Sequence, residues 1–187
     1  MEVYLIRHTA VAIGKDTCYG QTDVPLAASF QEEVAKIITE LPKDFDAVYS
    51  SPMQRCEHLA YALGYQNAIL ENALLEMNFG DWEGKKWNDI NYQELNNWMV
   101  DFVHVKPPNG ENLKKLFERV TLFLERLRSQ THQKVLLVTH AGVIRCVWAY
   151  MLDIPLQNIF KIPVDYGQVL SINLKKEKSF DIIQRII

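Results

Sequence analysis

Two short stretches of the chain are apolar and then stop on a histidine. Val3–Ile6 runs into Arg7 and His8, and Val135–Val138 runs into Thr139 and His140. A strand with one face in water alternates apolar and polar side chains, so an apolar run without alternation marks a strand buried on both faces. Such strands need helices above and below them. Ala47–Tyr49 and Val169–Asn173 read as further strands, with a weaker candidate near Asp181–Ile187.

Between these runs the apolar spacing changes to three and four. Phe30–Leu41 places Val34, Ile37, Ile38 and Leu41 on one stripe, and Met53–Leu63 is similar. Leu113–Leu127 sets Leu113, Leu116, Val120, Phe123, Leu124 and Leu127 against charged residues, which predicts a long half-buried helix. Strands alternating with helices predict an α/β fold, a three-layer α/β/α sandwich around a largely parallel sheet. Lys106–Asn112, KPPNGEN, reads as a turn that caps the next helix. With 187 residues and 48% hydrophobic content, one core and one domain over 1–187 are expected.

The formal net charge of −3 gives no general attraction to nucleic acid or an anionic membrane, so any anion must be held by a local pocket. Cys18, Cys56 and Cys146 are an odd set without a CxxC pair, which favours neither disulfides nor zinc and suits a reducing compartment. MEVYLI lacks the basic and apolar regions of a signal peptide. No apolar run approaches the ~20 residues that span a bilayer. A cytoplasmic protein is expected. A homodimer is compatible with the sequence but not required by it.

In parallel α/β sheets, ligands bind beyond the carboxyl ends of the strands, where helix N-termini point their N–H groups outward. Four stretches bring polar chemistry there. Two are the histidine endings, the second followed by Ala141 and Gly142 at the start of a helix. The third is AVYSSPMQR, where Ser51 is placed to cap a helix whose first turn holds Arg55. The fourth is LLEMNFGDWEG, with Glu76 after two leucines and further acids at Asp81 and Glu83.

Two arginines, two histidines and a carboxylate suit phosphoryl transfer. Guanidinium groups grip phosphate oxygens bidentately and keep their charge, a role that fits Arg7 and Arg55. A neutral imidazole is a nucleophile toward phosphorus when its other nitrogen is tied to a carbonyl, the role that fits His8. His140 is suited to donate to an equatorial oxygen as charge builds. Glu76, if protonated, can deliver a proton to the leaving oxygen and later take one from water. Protein cations supply the neutralisation, so no metal or other cofactor is expected.

These four stretches, in this order, resemble the signatures of the histidine phosphatase superfamily, the group that includes the phosphoglycerate mutases. LIRHT resembles its Arg-His-Gly element, YSSPMQR its Ser-Ser-Pro-x-x-Arg element, LLEMNFGDWEG its acid loop and LLVTHAGVIR its second-histidine motif. The resemblance implies a phosphoglycerate mutase-like fold and catalysis through a phosphohistidine on His8. Arg7, Arg55 and His140 would then line the phosphate pocket, with Glu76 as proton donor. Within the superfamily, CYGQTDVPL together with EMNFGDWEG most resembles the α-ribazole phosphatases of cobalamin nucleotide-loop assembly. That implies a small phosphomonoester as partner, α-ribazole 5′-phosphate or adenosylcobalamin 5′-phosphate, with the backbone around Gln21 at the substrate entrance.

The chain departs from the common signature at Thr9, where glycine is usual, at Ala10 and Val11, where a polar pair is usual, and at Leu59, where threonine is frequent. We read Thr9 as a substrate contact. Other members act on sugar phosphates, phosphoglycerate or phosphoproteins, and a non-catalytic phosphate-binding module is the alternative of another class. Asp81 or Glu83 is an alternative acid to Glu76. Arg145 reads as either a surface salt bridge or a substrate contact, and His58, His104 and His132 as surface or packing residues. Trp82, Trp87, Tyr92 and Trp98 read as a lid helix packed on the core or as a stacking surface for an aromatic base.

Overall fold

The computed structural model describes residues 1–186, with the backbone alone for Arg185 and Ile186. Its strands are β1 (Glu2–Arg7), β2 (Ala47–Ser50), β3 (Ile69–Leu70), β4 (Lys134–Thr139), β5 (Val169–Asn173) and β6 (Ile182–Ile186). They form one sheet in the order β3-β2-β4-β1-β5-β6. The neighbours from β3 to β1 are parallel, whereas β5 runs antiparallel to β1 and β6 antiparallel to β5. The sheet is therefore mixed at one edge and parallel elsewhere. The expected strand near Asp181–Ile187 is β6, and Ile187 lies outside the described residues. Sequence reading passed over β3, whose two side chains are both exposed.

The helices are α1 (Phe30–Glu40), α2 (Gln54–Ala62), α3 (Tyr92–Val100), α4 (Leu113–Arg128) and α5 (Ala141–Leu152). Alternate residues of β4 serve opposite faces. Val135 and Leu137 join the core beneath α4 and α5, while Leu136 and Val138 join the core beneath α1 and α2. This double cover is why the run carries no polar residue. The six residues of the predicted α4 stripe are all buried, while Leu122 on the other side is exposed, and Asn112 caps the helix by accepting from the Lys115 N–H. In α1, Val34 and Ile37 are buried, but Ile38 is half exposed and leaves the predicted stripe. Among the described residues no helix is long and apolar enough to cross a membrane.

The aromatic region forms a separate small core. Trp82 is buried with Cys18 and Ile90, and Trp87, Leu95 and Trp98 pack around them, so α3 rests on the loop below it. Tyr92 points away into solvent. The three cysteines are free, buried and distributed one to each of the three cores.

Candidate active site

The register of the sheet assembles the site. Arg7 stands opposite Thr139, and Ser50 opposite Val138, so the C-terminal ends of β1, β2 and β4 coincide. The His8 N–H continues the ladder to the Thr139 carbonyl at 2.9 Å, and the Ser51 N–H does so to Val138 at 2.9 Å. His8 and His140 consequently meet edge to face, with ring centroids 5.1 Å apart. Both are buried, His8 with 2% exposure and His140 with none.

The Nδ1–H of His8 donates to the carbonyl of Thr9 at 2.8 Å. That bond fixes the tautomer and leaves the lone pair on Nε2. Burial foremost, and then the positive charge of Arg55, pushes the ring pKa down to about 3; the Thr9 bond opposes this and Arg7 adds to it. The neutral form of the ring is therefore the resting form at neutral pH. His140 is held well below the ordinary imidazole range by burial first, then by His8 and the nearby arginines.

Arg55, in the first turn of α2, is almost fully buried. Its terminal nitrogens donate to the carbonyls of Gly20 and, at 2.9 Å, of Thr22. Arg7 donates to the Val164 carbonyl at 2.6 Å. The Nε atoms of both arginines are buried without an acceptor. An unsatisfied buried donor costs about 1–3 kcal/mol, and an oxyanion in reach of both would remove that cost.

The predicted cap of α2 is different from the one observed. Its N-cap residue is Met53, and the Asp23 carboxylate accepts from the Gln54 N–H at 2.9 Å. Ser51 instead places its hydroxyl 2.7 Å from Nε2 of His140, with the Cys56 sulfur 3.5 Å from the same nitrogen.

Glu76 is held at the start of α5, where Gly142 follows His140 by two residues, and its loop is tied to several neighbours. Its carboxylate accepts from the Met77 N–H at 2.9 Å and from the Gly142 N–H at 3.0 Å, in the first turn of α5. A side chain at position 142 would collide with that carboxylate and displace it, so glycine there lets Glu76 keep this position. The carbonyl of Glu76 accepts from Gln21 Nε2 at 2.9 Å and from Arg119 at 3.0 Å. Arg119 is itself paired with Glu111 at 2.8 Å.

The alternative acids have other work. Glu83 accepts from the N–H groups of Gly20, Gln21, Thr22 and Phe79 at 2.8–3.1 Å. Burial raises its pKa, but hydrogen bonds from Thr22, Gln21, Gly20 and Phe79 outweigh that and hold it below the usual carboxylate range. Glu83 thus braces the loop whose carbonyls hold Arg55. Asp81 accepts from the Asn109 side chain on the surface. Gln21 is half buried and also acts as a strut.

Thr9 is fully buried and its hydroxyl has no partner. Among the described residues Arg145 pairs with no carboxylate; its Nε donates to Ile162 at 2.9 Å and its guanidinium lies 5.6 Å from the Phe160 ring. His58 and His104 are exposed and His132 half exposed. Sequence reasoning missed Glu83 as a brace, Ser51 as a partner of His140, and Arg119. It also missed Tyr19 and Tyr166, which stand over the two arginines. The acid-rich GDWEG loop was the available signal for Glu83.

Comparison with known proteins bears on the family and the fold. The adenosylcobalamin/α-ribazole phosphatase of Escherichia coli K12 is 30% identical over 186 residues, covering 95% of this chain and 92% of that protein. A Hydrogenobacter thermophilus protein assigned provisionally as a second phosphoserine phosphatase is 29% identical over 186 residues, covering 95% and 91%. The crystal structure of the α-ribazole phosphatase from Shigella flexneri superposes with a TM-score of 0.89 at 29% identity, covering 98% of this chain and 95% of that one. Residues 3–182 match the family model of the histidine phosphatase superfamily, branch 1, and the chain belongs to that superfamily.

Proposed function

We propose that the protein is a metal-independent phosphomonoesterase that dephosphorylates α-ribazole 5′-phosphate or adenosylcobalamin 5′-phosphate through a phosphohistidine on His8. The observation that carries the chemistry is a neutral imidazole with an unbonded Nε2 beside two guanidinium groups whose buried Nε donors lack acceptors. The cobalamin substrate is supported by likeness to the Escherichia coli and Shigella flexneri phosphatases over nearly the whole chain.

In the first half-reaction Nε2 of His8 attacks phosphorus, the ester P–O bond breaks, and the leaving oxygen takes a proton from Glu76. In the second, water attacks the phosphohistidine, Glu76 accepts the water's proton, and the P–N bond breaks to release phosphate and restore the ring. Arg7 and Arg55 hold the phosphoryl oxygens throughout. His140 donates to an oxygen whose charge grows in the transition state. Thr9 and the backbone around Gln21 are assigned to the substrate's surroundings. The proposal includes a cytoplasmic location and a small-molecule partner, without nucleic acid or membrane, in keeping with the net charge of −3.

A second reading keeps the chemistry and changes the substrate to phosphoserine, which the Hydrogenobacter likeness favours. A kinetic panel of α-ribazole 5′-phosphate, phosphoserine, phosphoglycerate and sugar phosphates, with and without EDTA, separates them. The proposal predicts highest kcat/KM for α-ribazole 5′-phosphate, no effect of EDTA, and acid-labile label on the protein after brief exposure to labelled ester. A preference for phosphoserine moves the assignment to the second reading, and stable one-to-one binding without phosphate release moves it to a binding module.

A further inference from the structure

Two tyrosines that this chemistry does not use lie over the phosphate pocket. Tyr166 belongs to the segment between Ile162 and Gln168, ahead of β5. Because β5 runs antiparallel to β1, that segment arrives at the same edge as His8, and it is tied there by the Arg7 N–H to Gln168 at 3.1 Å. The Tyr166 ring lies 3.7 Å from the guanidinium carbon of Arg7, and its centroid is 5.6 Å from that of His8. Tyr19 follows β1 in the loop braced by Glu83, with its ring 5.5 Å from the guanidinium carbon of Arg55. The two hydroxyls, 147 residues apart in sequence, meet at 2.8 Å.

Each tyrosine therefore covers one of the two arginines, and a single hydrogen bond joins them. Below the pair, Arg55, His8 and His140 are buried to 2% exposure or less, whereas Tyr166 is 39% exposed. The loops that carry the tyrosines are anchored separately, one by Glu83 and the other by β1. The phenol bridge spans two independently fixed walls.

We propose that Tyr19 and Tyr166 form a roof over the phosphate pocket whose hydroxyl bridge parts to admit a phosphomonoester, with the Tyr166 ring acting as a positioning residue for the Arg7 guanidinium. The inference rests on the phosphomonoesterase reading. A closed roof lowers apparent affinity by the fraction of molecules that are open. Removing one hydroxyl while keeping the ring shifts that fraction without disturbing Arg7, whereas removing the ring disturbs both.

The test uses p-nitrophenyl phosphate with the wild type and with Tyr166→Phe, Tyr19→Phe and Tyr166→Leu, each checked for folding by circular dichroism. Both phenylalanine variants are expected to lower KM by about fivefold, the value of one hydrogen bond, with kcat within twofold of wild type. Tyr166→Leu is expected to raise KM and lower kcat by about tenfold each, a loss that Tyr166→Phe does not share. In an active enzyme, phenylalanine variants with unchanged or raised KM overturn the roof, and a folded leucine variant with wild-type constants overturns the positioning role. If the leucine variant fails to fold, the phenylalanine pair decides the roof. A wild-type enzyme inert toward both p-nitrophenyl phosphate and α-ribazole 5′-phosphate overturns the phosphomonoesterase reading and the roof with it.

Discussion

The ends of β1 and β4 carry the same sequence pattern, an apolar run closed by a histidine, yet they prepare opposite surfaces of the imidazole. At His8 the carbonyl of Thr9 takes the Nδ1–H, so the unbonded atom is a lone pair on Nε2. At His140 the Ser51 hydroxyl lies 2.7 Å from Nε2. With that hydroxyl as donor, the proton again sits on Nδ1, but the nitrogen left over is an N–H, with the Cys56 sulfur 4.0 Å away. In the proposed mechanism one tautomer then serves as nucleophile at one strand end and as donor at the other. A carbonyl can only accept, which fixes the His8 proton on Nδ1, whereas the His140 assignment follows from the Ser51 hydroxyl acting as donor.

Four experiments can break or sharpen that contrast. His8→Ala should lower turnover by on the order of 10⁴–10⁶-fold, as loss of a nucleophile does, and abolish acid-labile labelling. His140→Ala should cost about 10²–10³-fold, as loss of one transition-state donor does, while the labelled intermediate still forms in single-turnover experiments. Equal losses and equal labelling in the two variants would erase the distinction. Ser51→Ala should lower kcat by about fivefold with KM little changed, the effect of one hydrogen bond on the orientation of His140. A Ser51→Ala enzyme indistinguishable from wild type would leave the hydroxyl without a part in that orientation.

The smallest effect is on stability in acid. The unfolded chain binds a proton at His8 near the ordinary pKa of 6.5, whereas the folded ring resists protonation down to about 3. The unfolded state thus holds more protons in that window, and stability falls as pH drops through it. His140 adds in the same direction. His8→Asn should flatten the fall of Tm between pH 6.5 and 4, and an unchanged slope would count against the buried neutral ring.

The residues that the proposal assigns to the phosphate chemistry were legible because they interrupt patterns: a charged pair closing a strand, a histidine closing another, an arginine opening a helix. The two-sided burial of β4 was legible for the same reason. Glu83 was not, since a carboxylate that accepts from four amides looks in sequence like any acid in a polar loop. Ser51 was read as a cap because serine before a helix usually is one, and its capture by His140 depends on the register of β2 with β4. Tyr166 was invisible for a topological reason: its place over Arg7 follows from β5 running antiparallel, which the apolar pattern of Val169–Asn173 does not encode. Ile38 departs from the helical stripe because α1 touches the sheet along a narrower strip than its apolar residues occupy.

The pairing of β1 also bears on how the molecule comes into being. Glu2 pairs with Lys134 on one side and with Asn173 on the other, so β1 finds both neighbours far downstream in the chain. A nascent chain can build α1, β2 and α2 long before the strand that carries His8 has anything to hydrogen-bond with. Contacts so distant in sequence slow folding, because the loop-closure entropy is lost before they form. On the ribosome, the ends of β1 and β4 can meet only once β4 has been made.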